Sequence, residues 1–326
     1  MQAVITTINK PNKIYSHLSK LLGESSIIIV GDKKTPKEWE GVKGYLSLNE
    51  QFKLFPDLAE ALPMDHYCRK NIGYLQAISK NSESIYETDD DTYLLGDEID
   101  LAKISKTVKV LDSGWTNIYN FYSSQEIWPR GLPIECIEKK YKIKALENKQ
   151  QPAVIQYLVN GDPDVDALYR LIKKLPISFD LNLNTAIELG EGSLCPFNSQ
   201  NTIHAKNAYP FLYLPAYVSF RMTDIWRSII AQIYLTNKGE VIQFRPPNSL
   251  QDRNDHDLIK DLQQEFDGYK YNNIIAGICQ DSTHLDNPID YLKDVYKRLE
   301  KKDIIKKQEL QLLDIWCEYI NEYFYL

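Results

Sequence analysis

The sequence predicts an α/β fold in which a mostly parallel sheet is flanked by helices, with a helical extension at the C-terminus. Two observations support this prediction. In the first half, short apolar runs alternate with amphipathic segments, a pattern typical of βαβ units. After residue 255, apolar residues recur at helical spacing. We therefore expect a sheet-containing domain over residues 1–255 and a helical extension over residues 256–326 that packs on it.

The individual elements follow from the same patterns. Strands are expected at residues 3–7, 26–30, 44–48, 84–88, 108–111 and 154–158. Helices are expected at residues 13–22, 65–80, 167–174, 226–235 and 310–324. An acidic turn over residues 160–166 is expected to cap the helix that follows it. Residues 190–220, rich in glycine, proline, asparagine and aromatic residues, are typical of an irregular wall of a site.

Composition excludes several classes of protein. The formal net charge of −7 leaves no basic surplus to neutralise a nucleic acid. The longest apolar runs are far too short to span a bilayer, and a strand at residues 3–7 leaves no room for a signal peptide. The five cysteines are scattered without metal-type spacing, so we expect reduced thiols and a cytoplasmic location.

The most informative segment is a short strand that ends in three consecutive carboxylates, Asp89, Asp90 and Asp91. Adjacent like charges repel, so a strand end is a poor place for them unless a cation is expected. Hard divalent cations take one or two carboxylates and complete their coordination with nucleotide phosphates. The triplet is therefore what a metal-dependent nucleotide-sugar transferase of the GT-A (Rossmann-like) type places under its diphosphate. We expect Asp89 and Asp91 to bind Mn²⁺ or Mg²⁺ and Asp90 to contact the nucleotide-sugar; taken alone, the triplet also fits a solvated acidic loop.

Several further segments, in order and at natural spacing over roughly residues 3–255, closely resemble the STELLO family of glycosyltransferases. These segments are VITTINKP (4–11), IIVGDKKTP (28–36) with Trp39, HYCRKNIGY (66–74), YETDDD (86–91), WPRG (128–131), GDPDVDA (161–167), NSQNT (198–202), and FR (220–221) with DIWR (224–227). The resemblance implies a GT-A-like domain and glycosyl transfer. We expect no membrane anchor, because the longest apolar runs are too short to span a bilayer, and we therefore do not expect the Golgi location and the cellulose-synthase partner of plant members to carry over.

A more distant resemblance is to the reversibly glycosylated polypeptides, which include UDP-arabinopyranose mutases. These proteins share an acidic triplet, a motif similar to RGLP at residues 130–133, a GDPD segment and a late Asp-x-Trp. In that family the arginine that matches Arg130 is associated with self-glycosylation. A guanidinium is protonated at neutral pH and is nucleophilic only in special surroundings, so that chemistry is not assigned here.

Candidate nucleotide-sugar contacts lie at the ends of the first two strands and at the start of the helix before the acidic triplet. In a GT-A domain, Thr6, Thr7, Asn9 and Asp32 would face the nucleoside, although each also fits a turn or cap. Arg69 and Asn71 would grip the diphosphate, because a helix N-terminus favours anions; both are preferred over Lys70. Solvation at the surface is the alternative for these three.

Candidate catalytic and sugar-binding residues come from the later segments that resemble the family. Asp224 would be the general base or an acceptor contact, and Arg130 would lie over the diphosphate or sugar. Helix capping and an exposed loop arginine are the respective alternatives. The candidate acceptor or sugar contacts are Asp164, Asn201, Trp226 and Arg227. His204, His256 and His284 stay open as additional metal ligands.

These expectations define a metal-dependent glycosyltransferase with a nucleotide-diphospho-sugar donor, and we expect this donor to be a UDP-sugar. The acceptor would be a carbohydrate or glycolipid in polysaccharide or glycoconjugate assembly. Two alternatives stay open: a UDP-sugar pyranose/furanose mutase, and a non-catalytic pseudo-glycosyltransferase scaffold. Peripheral membrane contact and a homo-oligomer are compatible with the sequence, and neither is indicated by it.

Overall fold

The computed structural model describes residues 1–99, 104–147, 150–251 and 257–325. The strands are β1 (Gln2–Thr6), β2 (Ile27–Val30), β3 (Tyr45–Leu46), β4 (Ser84–Thr88), β5 (Thr92–Leu94), β6 (Lys106–Val110), β7 (Gly114–Trp115), β8 (Ile143–Ala145), β9 (Val154–Gly161), β10 (Thr185–Glu188), β11 (Ser193–Leu194), β12 (Asn201–Ala205) and β13 (Ile242–Gln251). The helices are α1 (Lys13–Leu22), α2 (Leu48–Leu54), α3 (Pro56–Ala61), α4 (Lys70–Ser79), α5 (Tyr119–Tyr122), α6 (Ala167–Ile172), α7 (Thr223–Asn237), α8 (Leu258–Asp281), α9 (Pro288–Lys301) and α10 (Lys307–Phe324).

Within the described residues, one sheet of 11 strands has the order β3-β2-β1-β4-β12-β9-β13-β10-β6-β8, with β5 attached to β13. Strands β1 to β4, β8, β9 and β13 run in one direction, and β5, β6, β10 and β12 run in the other. The four residues of β2 are all buried, as expected for an internal parallel strand covered on both faces. The predicted α/β class, with a mostly parallel sheet and a helical C-terminal region, is confirmed.

The strand order brings distant segments to one edge of the sheet. Strands β2, β1 and β4 are parallel neighbours, so their carboxyl ends meet there. Strand β12 runs antiparallel to β4, with Asn201 opposite Thr88, and this places residues 198–200 at the same edge. Strands β9 and β13 are parallel to each other and end at Gly161 and Gln251. In open α/β sheets this edge is where ligands bind.

Three predicted boundaries change in ways that affect the site. The segment expected to be irregular contains β12 in the middle of the sheet; its polar residues hid the strand because they are satisfied by buried hydrogen bonds. The helix expected from residue 65 starts as a 3₁₀ turn, Tyr67–Arg69, and becomes α-helical at Lys70. The helix expected at residue 226 starts at Thr223, so Asp224 lies inside its first turn.

The C-terminal helices α8, α9 and α10 pack against the rest of the molecule. Asp257 caps α8 by accepting from the backbone N–H groups of Ile259 and Lys260. Helix α8 packs on α6 and α7, and α10 packs on α3 and α4. The predicted boundary between residues 255 and 256 lies outside the described residues, so the division into two domains stays a prediction. No helix in the described ranges is both long and apolar enough to cross a membrane.

Candidate functional site

A cleft of about 390 Å³ opens at the edge of the sheet where the strand ends converge. The polar segments after β1, β2 and β4 all line it, as expected from parallel neighbours. The opposite wall comes from the Arg130 loop, the segment after β9, residues 199–200 and the start of α7. The sequence-predicted residues that line it are Thr6, Thr7, Asp32, Arg69, Asp89, Asp90, Asp91, Arg130, Asp164 and Asp224.

Asp89 is held by a buried cation. Its Oδ1 atom lies 3.2 Å from the Lys70 ammonium and accepts a hydrogen bond of 3.0 Å from the Tyr67 hydroxyl. The Lys70 side chain is fully buried, and its Nζ also donates to the Thr88 carbonyl at 2.9 Å. Burial raises the pKa of the Asp89 carboxyl, whereas Lys70 and Tyr67 act in the opposite direction. Lys70 was ranked below Arg69 and Asn71 from the sequence, but of these three residues it is the one with a hydrogen bond to the acidic triplet.

Asp90 is fixed by the segment that follows β1. Its Oδ2 atom accepts from the Thr7 hydroxyl at 2.5 Å and from the Asn9 amide at 3.0 Å. The Asn12 amide donates to the Asp90 backbone carbonyl at 2.7 Å. Thr7 and Asn9, predicted to contact the nucleoside, therefore also orient the central carboxylate of the triplet.

Asp91 faces the end of β13, where the Gln251 amide lies 3.1 Å from both carboxylate oxygens. Asp89 and Asp91 thus bring oxygen donors of the kind that Mg²⁺ and Mn²⁺ prefer to a single cleft. Within residues 1–99, 104–147, 150–251 and 257–325, no three His, Cys, Asp or Glu side chains group to hold a metal by themselves. One or two carboxylates suffice where a diphosphate completes the coordination, so the donor set fits such a cation.

The β2 side of the cleft contains Asp32 and Arg69. The Asp32 carboxylate accepts from the backbone N–H groups of Lys33 at 2.7 Å and of His66 at 3.1 Å. The Arg69 guanidinium donates to Gln51 Oε1 at 2.6 Å and to backbone carbonyls, and the residue is almost completely buried. Burial lowers the pKa of Arg69. Its hydrogen bonds stabilise the cleft wall, and its predicted contact with a diphosphate stays untested.

A network of buried charged residues forms the side of the cleft opposite Asp32 and Arg69. Arg130 Nε donates to both oxygens of Asp164 at 3.0 Å, and its Nη2 donates to Asp164 and, at 3.0 Å, to Asp224 Oδ2. All three side chains are more than nine-tenths buried. Although burial opposes the charge, the two carboxylates raise the pKa of Arg130 well above its usual value. Arg221 lies 3.6 Å from Asp164 and extends the network towards α8.

Asp224 does not cap α7. Met222 occupies the N-cap position, and no side chain caps that helix. Instead, Asp224 Oδ2 accepts from the backbone N–H and the hydroxyl of Ser199, both at 3.1 Å, as well as from Arg130. The capping alternative for Asp224 is therefore wrong. Among the aspartates of residues 162–166, Asp166 is the residue that caps α6, as the sequence predicted for this turn.

Two residues that the sequence did not single out connect the triplet to this network. The Tyr67 hydroxyl contacts Asp89 and lies 2.6 Å from Ser199 Oγ, and Ser199 contacts Asp224. Burial and Asp89 raise the pKa of Tyr67 well above its usual value, so its hydroxyl keeps the donated proton. Tyr67 and Lys70 are three residues apart at a helix start, and this spacing could have indicated that they face the same side.

Phe220 was also missed. It lines the cleft with 49% of its surface exposed and packs edge-on against His66 and Tyr67, with ring centroids 5.5 and 6.4 Å away. An exposed aromatic face among charged groups is a surface on which a sugar or base ring can stack. Its signal in the sequence was its position beside Arg221 in a segment that resembles the STELLO family.

Four predicted ligand contacts lie in the packed interior instead of the cleft lining. Asn71 exchanges hydrogen bonds with the backbone of Leu214, and Asn201 joins the Tyr86 hydroxyl to the end of β13. The Trp226 indole donates to Asn272. This placement does not support direct contact of these residues, or of Arg227, with a sugar. Each position is explained by a buried polar group that needs a partner.

Arg227 pairs with Glu87, a buried carboxylate of strand β4. Its guanidinium donates to both oxygens of Glu87, at 2.8 and 2.6 Å, and both side chains are at most 2% exposed. Burial alone would raise the pKa of Glu87, but Arg227 holds it well below its usual range. His204 lies 3.5 Å from the same carboxylate and does not line the cleft, and burial lowers its pKa. His284 contacts the Asp281 carbonyl in the C-terminal helices, and His256 lies outside the described residues.

We expect Arg227→Met to lower the free energy of unfolding by about 3–5 kcal/mol, because it leaves Glu87 buried without its counter-charge. Denaturant unfolding followed by circular dichroism measures this change. The double variant Glu87→Gln, Arg227→Met is the control and should recover much of the loss. Unchanged stability with loss of sugar binding would return Arg227 to the ligand contacts.

Comparison with known proteins shows sequence similarity to glycosyltransferases of one family. The family model described as "STELLO glycosyltransferases" matches residues 221–325, which include Asp224 and helices α8 to α10. The Arabidopsis thaliana protein "Probable glycosyltransferase STELLO1" is 29% identical over 270 residues, covering 76% of this chain and 34% of the relative. "Probable glycosyltransferase STELLO2", from the same plant, is 29% identical over 268 residues, covering 75% of this chain and 34% of the relative. The chain thus spans about one third of the length of these relatives. The family model and these two relatives thus show that the chain is similar to the STELLO glycosyltransferases, in agreement with the resemblance seen in its sequence motifs.

Proposed function

We propose that this protein transfers a sugar from a nucleotide-diphospho-sugar, with uridine as the nucleoside, to a carbohydrate or glycolipid acceptor in polysaccharide or glycoconjugate assembly. The observation that carries the proposal is the Asp89–Asp91 triplet at the carboxyl end of β4, inside a cleft bounded by the ends of β1 and β2. The glycosyltransferase name of the family supports the reaction class.

The triplet divides into two kinds of group in this proposal. Asp89 and Asp91 would hold Mg²⁺ or Mn²⁺, which when bound offsets the negative charge that develops on a departing diphosphate. Asp90, oriented by Thr7 and Asn9, would accept from hydroxyl groups of the nucleotide-sugar. Lys70 supplies a fixed positive charge next to Asp89 and limits the repulsion within the triplet.

The remaining cations of the cleft differ in how they are paired. Arg130 and Arg221 form ion pairs with the buried carboxylates of Asp164 and Glu265, so their role is to hold the residues of the cleft wall in place. Lys34 is 67% exposed at its side chain and lies 4.0 Å from Asp65, a weak pair that a phosphate can replace. We assign Lys34 to the diphosphate on these grounds. Local cations of this kind allow an acidic protein to bind an anionic donor.

Asp224 is the candidate base or acceptor contact. Three donors converge on its Oδ2 atom, and no described residue donates a hydrogen bond to Oδ1. The carboxylate is thus held in one orientation, as required of a group that must meet an acceptor hydroxyl at hydrogen-bonding distance. Ser199 and Arg130 are the residues that position it.

The environment of Arg130 favours transfer over the self-glycosylating chemistry of the mutase relatives. Arg130 is 5% exposed and lies between two carboxylates that raise the pKa of its guanidinium. A nitrogen in this setting keeps its proton and is a poor nucleophile. We therefore expect Arg130 to organise the site without itself accepting a sugar.

The proposal is tested with the unmodified protein and a panel of nucleotide-sugars. We expect UDP with Mn²⁺ to raise the free energy of unfolding by about 2.7 kcal/mol at 100 times its Kd, and EDTA to abolish the effect. UDP-sugars should be hydrolysed slowly, and chromatography should show UDP and free sugar. ADP with Mn²⁺ serves as the control for binding that does not depend on the base.

Two outcomes of this experiment would overturn the proposal. A new UDP-sugar peak that equilibrates from both directions, with no other substrate present, would identify a mutase. Absence of both metal-dependent UDP binding and hydrolysis would leave the non-catalytic scaffold as the explanation of the fold.

A further inference from the structure

Helix α8 lies behind the cleft and reaches three of the segments that form it. Its residues Glu265, Tyr269 and Asn272 are spaced by four and three positions, so they lie on one face of the helix. Glu265 and Asn272 are at most 3% exposed, although both are polar. A buried polar face is costly unless each group has a partner. The identity of those partners shows what the face does.

Glu265 holds two segments together. Its Oε1 atom accepts from Arg221 Nε and Nη2 at 2.9 and 2.7 Å, and its Oε2 atom accepts from the Ala167 backbone N–H at 2.8 Å. Arg221 is three residues before Asp224, and Ala167 is three residues after Asp164. A single carboxylate of α8 thus contacts both segments that carry the aspartates around Arg130.

Tyr269 and Asn272, the other two polar residues on this face of α8, also form hydrogen bonds to segments of the cleft. The Tyr269 hydroxyl donates to Asp166 Oδ1 at 2.8 Å. The Asn272 amide donates to the Gly131 carbonyl at 2.8 Å, and its oxygen accepts from the Trp226 indole at 2.9 Å. Gly131 follows Arg130 directly and has a positive φ of 84°, so its loop adopts a conformation that other residues rarely take.

The same helix also packs against side chains of the segment before α7. A Cβ atom at Gly268 would overlap the Met222 sulfur, so glycine allows α8 to approach the turn that leads to Asp224. The Ser219 hydroxyl donates to the Gln264 carbonyl on the neighbouring turn of α8. Close packing and a hydrogen bond therefore act together on the segment that leads to Asp224.

We propose that α8 positions the catalytic side of the cleft, with Glu265, Tyr269 and Asn272 as positioning residues that fix the segments carrying Arg130, Asp164 and Asp224. The helical C-terminal region is in this sense part of the site. The kinetic consequence rests on the proposed function, whereas the positioning itself can be measured without turnover.

The test uses Tyr269→Phe, Glu265→Gln and Asn272→Ala in the full chain, with Asn273→Ala as the matched control. Asn273 is the next residue of the same helix, but its amide contacts Trp115 and Glu135, which do not line the cleft. Hydrogen exchange by mass spectrometry is the first measurement. We expect amides in residues 130–133, 164–168 and 220–226 to exchange about tenfold faster in the three variants than in the control.

The second measurement separates positioning from general destabilisation. With UDP-glucose as the probe, the affinity for UDP and Mn²⁺ should stay within about twofold, while kcat falls about tenfold in the three variants and is unchanged in Asn273→Ala. Tyr269→Phe removes one hydroxyl and keeps the ring, so it tests the inference even if Asn272→Ala unfolds.

The inference is overturned if exchange in the three segments matches the control, or if it rises equally throughout the protein. If the wild-type protein shows no turnover, the proposed function is contradicted. The hydrogen-exchange measurement does not depend on turnover, so it would still decide the role of α8.

Discussion

The double variant Asp89→Ala, Asp91→Ala is expected to lose metal-dependent UDP binding, with an affinity decrease of about 100-fold or more. Both side chains line the cleft, and they are the outer carboxylates of the triplet. Loss of groups that merely orient metal ligands already costs about 10–100-fold in affinity, so loss of two ligands should cost at least the upper end of that range. Calorimetry with UDP in the presence and absence of Mn²⁺ measures the change.

Two controls make this result specific. Asp281→Ala, Asp286→Ala removes the same number of negative charges from surface pairs with Arg298 and Lys238, and it should leave UDP binding intact. Asp89→Asn, Asp91→Asn keeps the size of both side chains and limits the effect of leaving Lys70 without a charged partner. If the Ala and the Asn double variants of Asp89 and Asp91 both bind UDP as tightly as the wild type, and still in a metal-dependent manner, the triplet is not the metal site.

Asp224→Asn is expected to lower turnover by about 10²-fold or more while folding and UDP affinity stay intact. The structure removes the capping explanation, because Met222 is the N-cap of α7 and Asp224 contacts Ser199 and Arg130. Asparagine keeps one oxygen as an acceptor but cannot take a proton from an acceptor hydroxyl. Its oxygen can take the place of Oδ2, which accepts from Ser199 and Arg130, and its NH₂ group can replace Oδ1, so the substitution removes the charge and keeps the three contacts. Steady-state hydrolysis of a UDP-sugar measures the change.

The control for this substitution is an aspartate that does cap a helix. Asp257 caps α8 and is exposed, and asparagine caps about as well as aspartate, so Asp257→Asn should leave stability and turnover nearly unchanged. Undiminished hydrolysis by a well-folded Asp224→Asn protein would show that Asp224 only supports the wall of the cleft.

The sequence determined the elements whose signals are local. Strand β4 was predicted at its observed bounds, Ser84–Thr88, and α1 at Lys13–Leu22, because an apolar run and an amphipathic repeat mark them. The convergence of the segments after β1, β2 and β4 also followed from the sequence, since parallel neighbours end at one edge. The family resemblance added Arg130 and Asp224, but gave no account of what their side chains contact.

Tertiary structure decided which charges meet. Arg130 contacts Asp164 across 34 positions and Asp224 across 94, and Arg227 finds Glu87 across 140. Local patterns report the neighbours of a residue in its own helix or strand, whereas a buried charge is stabilised by whichever opposite charge the sheet order places beside it. Arg227 therefore looked like a ligand contact and is a partner of Glu87. Lys70 looked like a surface residue and is the buried cation of the acidic triplet, because α4 packs on β1 and β2 and this packing brings Lys70 to the end of β4. Neither segment alone predicts that contact.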